Sequence, residues 1–133
     1  MRRSVRVVLW AMATAMPLAT APTAADEPSS DNRLSVLVVT GGHGFEGAPF
    51  FEVFKAMPEV AMRHVTYPAA GAMLTPALAD EVDVIVFYDM WTKPLPESQR
   101  EAILQLLDKG IGVVALHHTL AAHPSWPAYA EII

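Results

Sequence analysis

Short apolar runs alternate with helix-forming segments from residue 34 to the end of the chain. The runs LSVLVV, DVIVFY and IGVVAL, at 34–39, 83–88 and 111–116, contain the β-branched residues typical of strands buried on both faces. AMRHVTY, at 61–67, alternates only in part and is a weaker strand candidate. The pattern therefore predicts four strands.

Helix signals occupy the intervals between these runs. Pro49 lies where a first helical turn would begin, before FFEVFKAM, and TPALADE offers Thr75 as a cap with Pro76 in the first turn. The clearest helix is PESQREAILQLLDKG, which begins at Pro96 and is stopped by Gly110. Alternation of strands and helices implies a parallel sheet with right-handed crossovers. We expect an α/β fold, flavodoxin-like, with three α/β/α layers and strand order 2-1-3-4.

In an open parallel sheet, ligands bind beyond the carboxyl ends of the strands. The segments TGGHGFEG, DMWTKP and HHTLAAHPSW leave three of the predicted strands at that edge. The topology therefore predicts that they bring together His43, Asp89, Trp91, His117 and His118. Because adjacent strand residues face opposite sides of a sheet, we expect one of the paired histidines to be functional and the other structural, unless the strand has already ended.

The N-terminus has the outline of a secretory signal peptide. Three arginines precede an apolar stretch from Val7 to about Ala15, and small residues follow. The alternative is a membrane anchor, but the apolar stretch is shorter than the roughly 20 residues that span a bilayer. We therefore predict a signal peptide at 1–25, a flexible leader at 26–33 and a secreted or periplasmic protein that is not membrane-bound after signal removal.

Composition narrows the possible chemistry. Removal of residues 1–25 takes away three of the nine basic residues and none of the 14 acidic ones, which leaves a formal charge of −8. A nucleic-acid partner is not expected, because phosphate binding needs a basic face. The chain has no cysteine, so disulfides, thiolate catalysis and cysteine-ligated metals are excluded.

Two motif-based interpretations, a dinucleotide site and a serine nucleophile, are not supported by the sequence. Gly42, Gly44 and Gly47 spell the dinucleotide pattern GxGxxG, but the second predicted strand ends in Tyr67 and Pro68 without an acid to hold a ribose. These glycines are better explained by a tight turn and a loop that faces an anion or a sugar. A serine nucleophile is not indicated, because the sequence has no GxSxG elbow.

The histidines and carboxylates of the chain are compatible with two further kinds of site, a zinc site and an acid/base site. In the absence of cysteine, zinc is typically bound by histidines together with a carboxylate. The chain contains no HExxH motif, but it does contain candidate ligands of both kinds: His43, His117, His118, His123, Glu46 and Asp89. Alternatively, Asp89 and Glu46 act as an acid/base pair with a histidine. An aspartate directly after a strand also commonly serves only as a turn or cap residue.

Several of these segments resemble one family in order along the chain. VLVVTGGHGFE, VIVFYD, DKGIG and VVALHHTLAAHPSWPAYAEII are similar to the trehalose-utilisation (ThuA-like) domain of the class I glutamine amidotransferase-like superfamily. The resemblance covers about 34–133, and GGH and LHH are its most specific parts. Amidotransferases of the superfamily place a nucleophilic cysteine near the end of the fourth strand. Leu116, His117 and His118 stand there instead, so glutamine hydrolysis is not expected.

The resemblance implies a domain that acts on or binds carbohydrate, in the catabolism of trehalose or oxidised (keto) disaccharides. The implied roles are catalysis by His117, Asp89 and Glu46; substrate binding by Gly42, His43, Trp91, His118 and Trp126; and, with zinc as the candidate divalent metal, ligation by His43 and His117. A non-catalytic sugar-binding or scaffolding module of a larger protein is the alternative. ThuA-like domains continue beyond the point that corresponds to Ile133, so 34–133 is expected to be the N-terminal part of one.

Overall fold

The computed structural model describes residues 32–133. The signal peptide predicted at 1–25 and the leader up to residue 31 lie outside the described residues. No helix within 32–133 has the length and apolar character needed to cross a membrane.

Four parallel strands form one sheet. They are β1 (Leu34–Gly41), β2 (Val60–Thr66), β3 (Val84–Asp89) and β4 (Gly112–Ala115), in the order β2-β1-β3-β4. The predicted strands, their parallel pairing and their order are therefore confirmed. Buried apolar runs joined by helices leave few other topologies.

Helices connect the strands. They are α1 (Gly47–Lys55), α2 (Ala69–Met73), α3 (Glu97–Asp108) and α4 (Tyr129–Ile132). The predicted stop of α3 is confirmed, because Gly110 follows its C-cap with a φ of 84°, in the left-handed region that glycine adopts without a Cβ penalty. TPALADE forms a 3₁₀ helix at Pro76–Asp80 rather than an α-helix, with Thr75 at the predicted cap position.

Helices on the two faces of the sheet complete the three-layer α/β/α fold. On one face, Val36, Val38 and Val86 pack against phenylalanines of α1. On the other, Leu37, Val39, Ile85 and Phe87 form a larger core with residues of α2, α3 and α4. β1 and β3 are thus apolar on both sides, which explains their continuous apolar runs in the sequence.

Candidate functional site

Backbone hydrogen bonds tie the carboxyl ends of three strands together. The Met90 amide donates to the Gly41 carbonyl at 2.7 Å, and the Leu116 amide donates to the Phe87 carbonyl at 2.9 Å. The loop after β1 therefore lies directly against the segment after β3. Side chains that project from these strand ends can meet, as the topology predicts.

Gly42 allows this close approach. Its φ is 85°, and a Cβ at this position would lie 2.1 Å from the carbonyl oxygen of Met90. Only glycine fits such a backbone contact in this conformation. The structure thus gives Gly42 a conformational role in holding the loop, and its predicted role in substrate binding stays a prediction.

Three histidines converge at this edge of the sheet. The ring centroids of His43 and His118 are 5.0 Å apart, and those of His117 and His118 are 3.7 Å apart. Tyr88, near the end of β3, contacts His43 edge to face at 4.9 Å and lies parallel to His117 at 6.2 Å. Phe45 completes the group, with its ring 5.2 Å from Tyr88. We call these five residues the histidine rim.

Both histidines of the LHH motif are exposed and belong to the rim. The exception stated for this pair therefore applies, because the strand has already ended before it. Strand alternation does not apply to them, because β4 ends at Ala115 and a 3₁₀ helix, His117–Ala121, begins at once. His117 has a φ of 52°, a left-handed conformation that is uncommon for a residue other than glycine and that is found preferentially at functional sites.

The histidines of the rim differ in their hydrogen bonding. Nδ1 of His43 lies 3.1 Å from the Gly44 carbonyl, and Nε2 lies 3.3 Å from the Tyr88 carbonyl. Carbonyl oxygens only accept, so a neutral His43 donates to one of them, from whichever ring nitrogen carries the hydrogen. Both ring nitrogens of His43 therefore face backbone carbonyls rather than open space.

His118 has the opposite character. Loss of water around its ring, and then repulsion from His117 and His43, lower the pKa of His118 below its ordinary value of 6.5. At neutral pH this ring is uncharged and has a lone pair that can accept a hydrogen bond or a proton. The rim thus has an acceptor at His118 beside His43, whose ring nitrogens face backbone carbonyls.

The predicted metal site is not supported by the described residues. Among residues 32–133, no group of three or more histidine, aspartate or glutamate side chains is arranged to hold a metal ion. Both ring nitrogens of His43 lie against carbonyl oxygens, so neither is open to a metal ion. We therefore do not assign zinc to this site.

Asp89 lies on the other side of the sheet. It follows Tyr88 on β3 and so faces the opposite layer, where it is fully buried. Its carboxylate accepts hydrogen bonds from the Thr119 hydroxyl at 2.5 Å and from the Trp91 amide at 3.3 Å. The structure does not bring Asp89 together with the histidine rim.

The two predicted tryptophans also lie on the Asp89 side. Trp91 is half-buried and stacks on Tyr67, with centroids 5.2 Å apart. Trp126 is 6% exposed and belongs to the core. A sugar needs an open ring face to stack on, so Trp126 is not carried into the functional proposal.

Glu46 is the acidic residue that shares a loop with the rim. It is exposed, occupies the N-cap position of α1, and makes no capping hydrogen bond with its side chain within the described structure. Its carboxylate is thus free of a structural role in that cap. Its predicted role as an acid/base group stays a prediction.

Two members of the rim, Tyr88 and Phe45, were not among the predicted site residues. Successive residues of a strand face opposite sides of the sheet, so Tyr88 lies on the face opposite Phe87 and Asp89. This alternation could have identified Tyr88 from the sequence. Phe45 lies in a glycine-rich loop, and no sequence pattern predicts which way its side chain points.

A cavity of about 640 Å³ lies away from the rim. It is formed at the amino ends of β1 and β2, where Arg33, Lys55 and Arg63 contribute to its lining. Its lining includes no histidine. The rim is therefore a surface at the opposite end of the sheet rather than the wall of this cavity.

A comparison of the chain with protein-family models, with curated proteins and with solved structures finds no match.

Proposed function

We propose that this chain is a ThuA-like domain of an exported protein, and that it binds carbohydrate at the histidine rim. The observation that carries the proposal is the convergence of three imidazoles with Tyr88 at the carboxyl edge of β1, β3 and β4. Ligands of open parallel sheets bind at this edge. The resemblance of GGH and LHH to the ThuA-like pattern supports carbohydrate as the ligand class.

The chemistry of the rim suits a sugar. Hydroxyl groups both donate and accept, so a sugar hydroxyl can donate to the uncharged acceptor at His118. The apolar faces of sugar rings pack on aromatic surfaces, which Phe45 and Tyr88 provide beside the histidines. Small-molecule sites combine apolar walls with a few such polar groups.

Catalysis at this site would rest on His118 as the general base. A general base works best when its pKa lies near the operating pH, where it is largely unprotonated and still basic enough to take a proton. Glu46, in the loop before α1, is the candidate partner acid on this side of the sheet. The substrate class proposed is trehalose or an oxidised disaccharide.

One observation favours the non-catalytic alternative, a sugar-binding or scaffolding module. Asp89, the expected acid/base carboxylate, is fully buried on the opposite face of the sheet and is engaged by Thr119. If no carboxylate assists the histidines, the rim binds a sugar without transforming it. Binding and turnover are therefore measured in the same experiment.

The test is a titration of the full-length protein with trehalose, methyl glucoside and a keto-glucoside. Imidazole NMR signals report binding, and mass spectrometry reports loss of substrate. We expect sugar-dependent shifts at His43 and His118. In the His118→Ala variant, affinity should fall about tenfold, which is the usual effect of losing one ligand hydrogen bond.

Lys109→Ala is the matched control. Lys109 is an exposed residue at the end of α3, before β4 begins, and so lies at the amino edge of the sheet. This variant should bind sugar like the wild type. Equal affinity in the wild type and in a His43→Ala/His118→Ala double variant would show that the rim is not a sugar site. Disappearance of substrate would establish an enzyme, and binding without disappearance would establish the module.

A further inference from the structure

The outer edge of β2 has a defined set of backbone groups that point away from the sheet. Among residues 32–133, β1 is the only strand beside β2, and the register pairs Leu34 with Val60. The Leu34 amide donates to the Glu59 carbonyl at 2.8 Å, and the Tyr67 amide donates to the Thr40 carbonyl at 2.9 Å. In a parallel ladder with this phase, the odd-numbered residues of β2 direct both backbone groups toward β1. The even-numbered residues therefore direct theirs outward.

Most of these outward groups are unpaired. The Val60 amide is used, because it donates to the Met57 carbonyl at 3.1 Å in the turn before the strand. The amides of Met62, His64 and Thr66 make no such hydrogen bond within residues 32–133. A row of unpaired amides and carbonyls at a strand edge is a template with which a further extended chain can pair.

The cavity of about 640 Å³ reaches around this edge. Its lining includes four consecutive residues of β2, 60–63. Consecutive strand residues point to opposite faces of a sheet, so a space that contacts all four cannot lie on one face alone. Its volume is within the range of about 300–1,000 Å³ that is usual for bound ligands. The edge therefore has open space beside it.

The lining of the cavity is basic. Arg33, Lys55 and Arg63 contribute to it, and no acidic residue does. They are three of the six basic residues that follow residue 25 in a chain with 14 acidic residues. Arg63 lies 3.1 Å from Glu81 and Lys55 lies 2.7 Å from Glu52, in ion pairs whose side chains are exposed. Exposed pairs contribute little to stability, so the carboxylates of a ligand can compete for these cations.

The two faces of β2 differ beside the cavity. Met62 packs on the face that α1 covers, and Phe54 and Met57 also line the cavity. Arg63 points to the opposite face, because side chains alternate along a strand. The side chains of an extended segment paired with β2 would alternate in the same way. One set would meet apolar side chains and the other would meet Arg63.

We infer that the outer edge of β2 is a docking site for an extended acidic segment of another protein, which adds to the sheet as a further strand. Its backbone pairs with Met62, His64 and Thr66. Its carboxylates lie on the Arg63 side, and its apolar side chains lie on the Met62 side. In this mode of recognition, backbone hydrogen bonds supply affinity and alternate side chains supply specificity. The site uses no residue of the histidine rim.

A second copy of the chain is a poorer occupant of this edge. Full antiparallel overlap of two β2 strands, each Val60–Thr66, would place Arg63 directly opposite Arg63 of the other copy. Like charges in such a position destabilise a strand pair. An acidic segment replaces this repulsion with attraction.

The test uses the full-length protein, labelled with ¹⁵N, and an end-blocked peptide of eight residues in which glutamate and valine alternate. In the free protein, amide hydrogen exchange should be fast at Met62, His64 and Thr66 and slow at Arg63 and Val65, which face β1. Addition of the peptide should shift the signals of the three outward amides and slow their exchange.

Chemically altered peptides test the backbone pairing without any protein variant. One set of alternate peptide amides faces β2 and the other faces away. N-methylation of the facing set should weaken binding at least tenfold, and N-methylation of the other set should weaken it less than about threefold. The facing amides belong to the valines if the peptide is antiparallel to β2 and to the glutamates if it is parallel. A peptide with lysine in place of glutamate should bind at least tenfold more weakly.

Two matched variants test the charge. Arg63→Gln and Glu81→Gln remove the same exposed ion pair, so both should leave the melting temperature close to that of the wild type. Arg63→Gln should weaken binding of the peptide about two- to fivefold, which is the usual effect of one exposed ion pair. Glu81→Gln should leave affinity unchanged or raise it, because it removes a competitor for Arg63.

The proposal is overturned if the peptide shifts none of the outward amides, if the two N-methylated peptides bind equally, or if Glu81→Gln weakens binding as much as Arg63→Gln does. Slow exchange of the outward amides in the free protein also overturns it. If that protection does not depend on protein concentration, another segment of this chain covers the edge; if it does, a second copy covers it. Sugar binding at the rim is measured at the imidazole signals of His43 and His118, so failure of either proposal is recognised separately.

Discussion

The two glycines on either side of His43 should respond oppositely to the same substitution. Gly42 has a φ of 85°, and an added Cβ would lie 2.1 Å from the Met90 carbonyl oxygen and 2.8 Å from the Trp91 amide nitrogen. Both are backbone atoms, which cannot rotate away. At Gly44, an added Cβ would meet no described atom within 4 Å, and φ is not in the left-handed region.

The magnitude for Gly42→Ala follows from two additive costs. A left-handed conformation costs a residue with a Cβ about 1–2 kcal/mol, and overpacking against fixed atoms typically costs about 1–3 kcal/mol. We therefore expect the free energy of unfolding to fall by about 2–5 kcal/mol. For Gly44→Ala we expect a change within about 0.5 kcal/mol, or a gain of up to about 1 kcal/mol from a less flexible unfolded chain.

Urea denaturation of both variants measures these differences, and the imidazole NMR signals of His43 report the loop itself. Gly42→Ala should shift those signals and weaken sugar binding in the molecules that remain folded. Gly44→Ala should leave both unchanged. Equal stability of the two variants would refute the claim that the loop conformation depends on the contact between Gly42 and Met90.

Three further predictions concern stability. Thr119→Val removes the buried hydroxyl that donates to Asp89 and should lower the free energy of unfolding by about 1–3 kcal/mol in urea denaturation; an unchanged value would mean that the carboxylate finds another donor. Burial lowers the pKa of His123 more than the Asp89 carboxylate raises it, so the unfolded chain binds this proton more tightly. Thermal melts should therefore show full stability above pH 6.5 and a loss as pH falls below it, and a flat profile would contradict the burial of a neutral ring. Leu106→Ala, at a fully buried position of α3, should cost about 2–5 kcal/mol, while Leu104→Ala, at 40% exposure, should cost less than about 1 kcal/mol; similar losses would mean that α3 packs through a different face.

The central strands β1 and β3 could be predicted because they are apolar on both sides. In β1 and β3, consecutive residues are buried whichever face they meet, so each strand is a continuous run that no amphipathic helix would produce. β2 lies at an edge and is more exposed, which explains its weaker pattern. Once the strands were known, the helices between them left few arrangements open.

The site was less predictable because it depends on where strands end. That His43, His117 and His118 meet follows from topology alone. Their shared orientation does not, because the chain leaves β4 at Ala115 and turns through a left-handed residue at His117. Asp89 shows the opposite case: alternation with Tyr88 already separates it from the histidines, and only the shared strand end suggested otherwise.

The backbone hydrogen bonds at the carboxyl edge have a consequence for engineering. The Met90 amide to the Gly41 carbonyl and the Leu116 amide to the Phe87 carbonyl fix the strand ends without using any side chain of the rim. His117 and His118 are exposed, so their replacement leaves these bonds in place. New side chains can therefore be installed there as a library, with asparagine or glycine preferred at 117 because of its left-handed backbone. The fold can then serve as a scaffold in which the side chains at one edge of the sheet are replaced to give new binding properties.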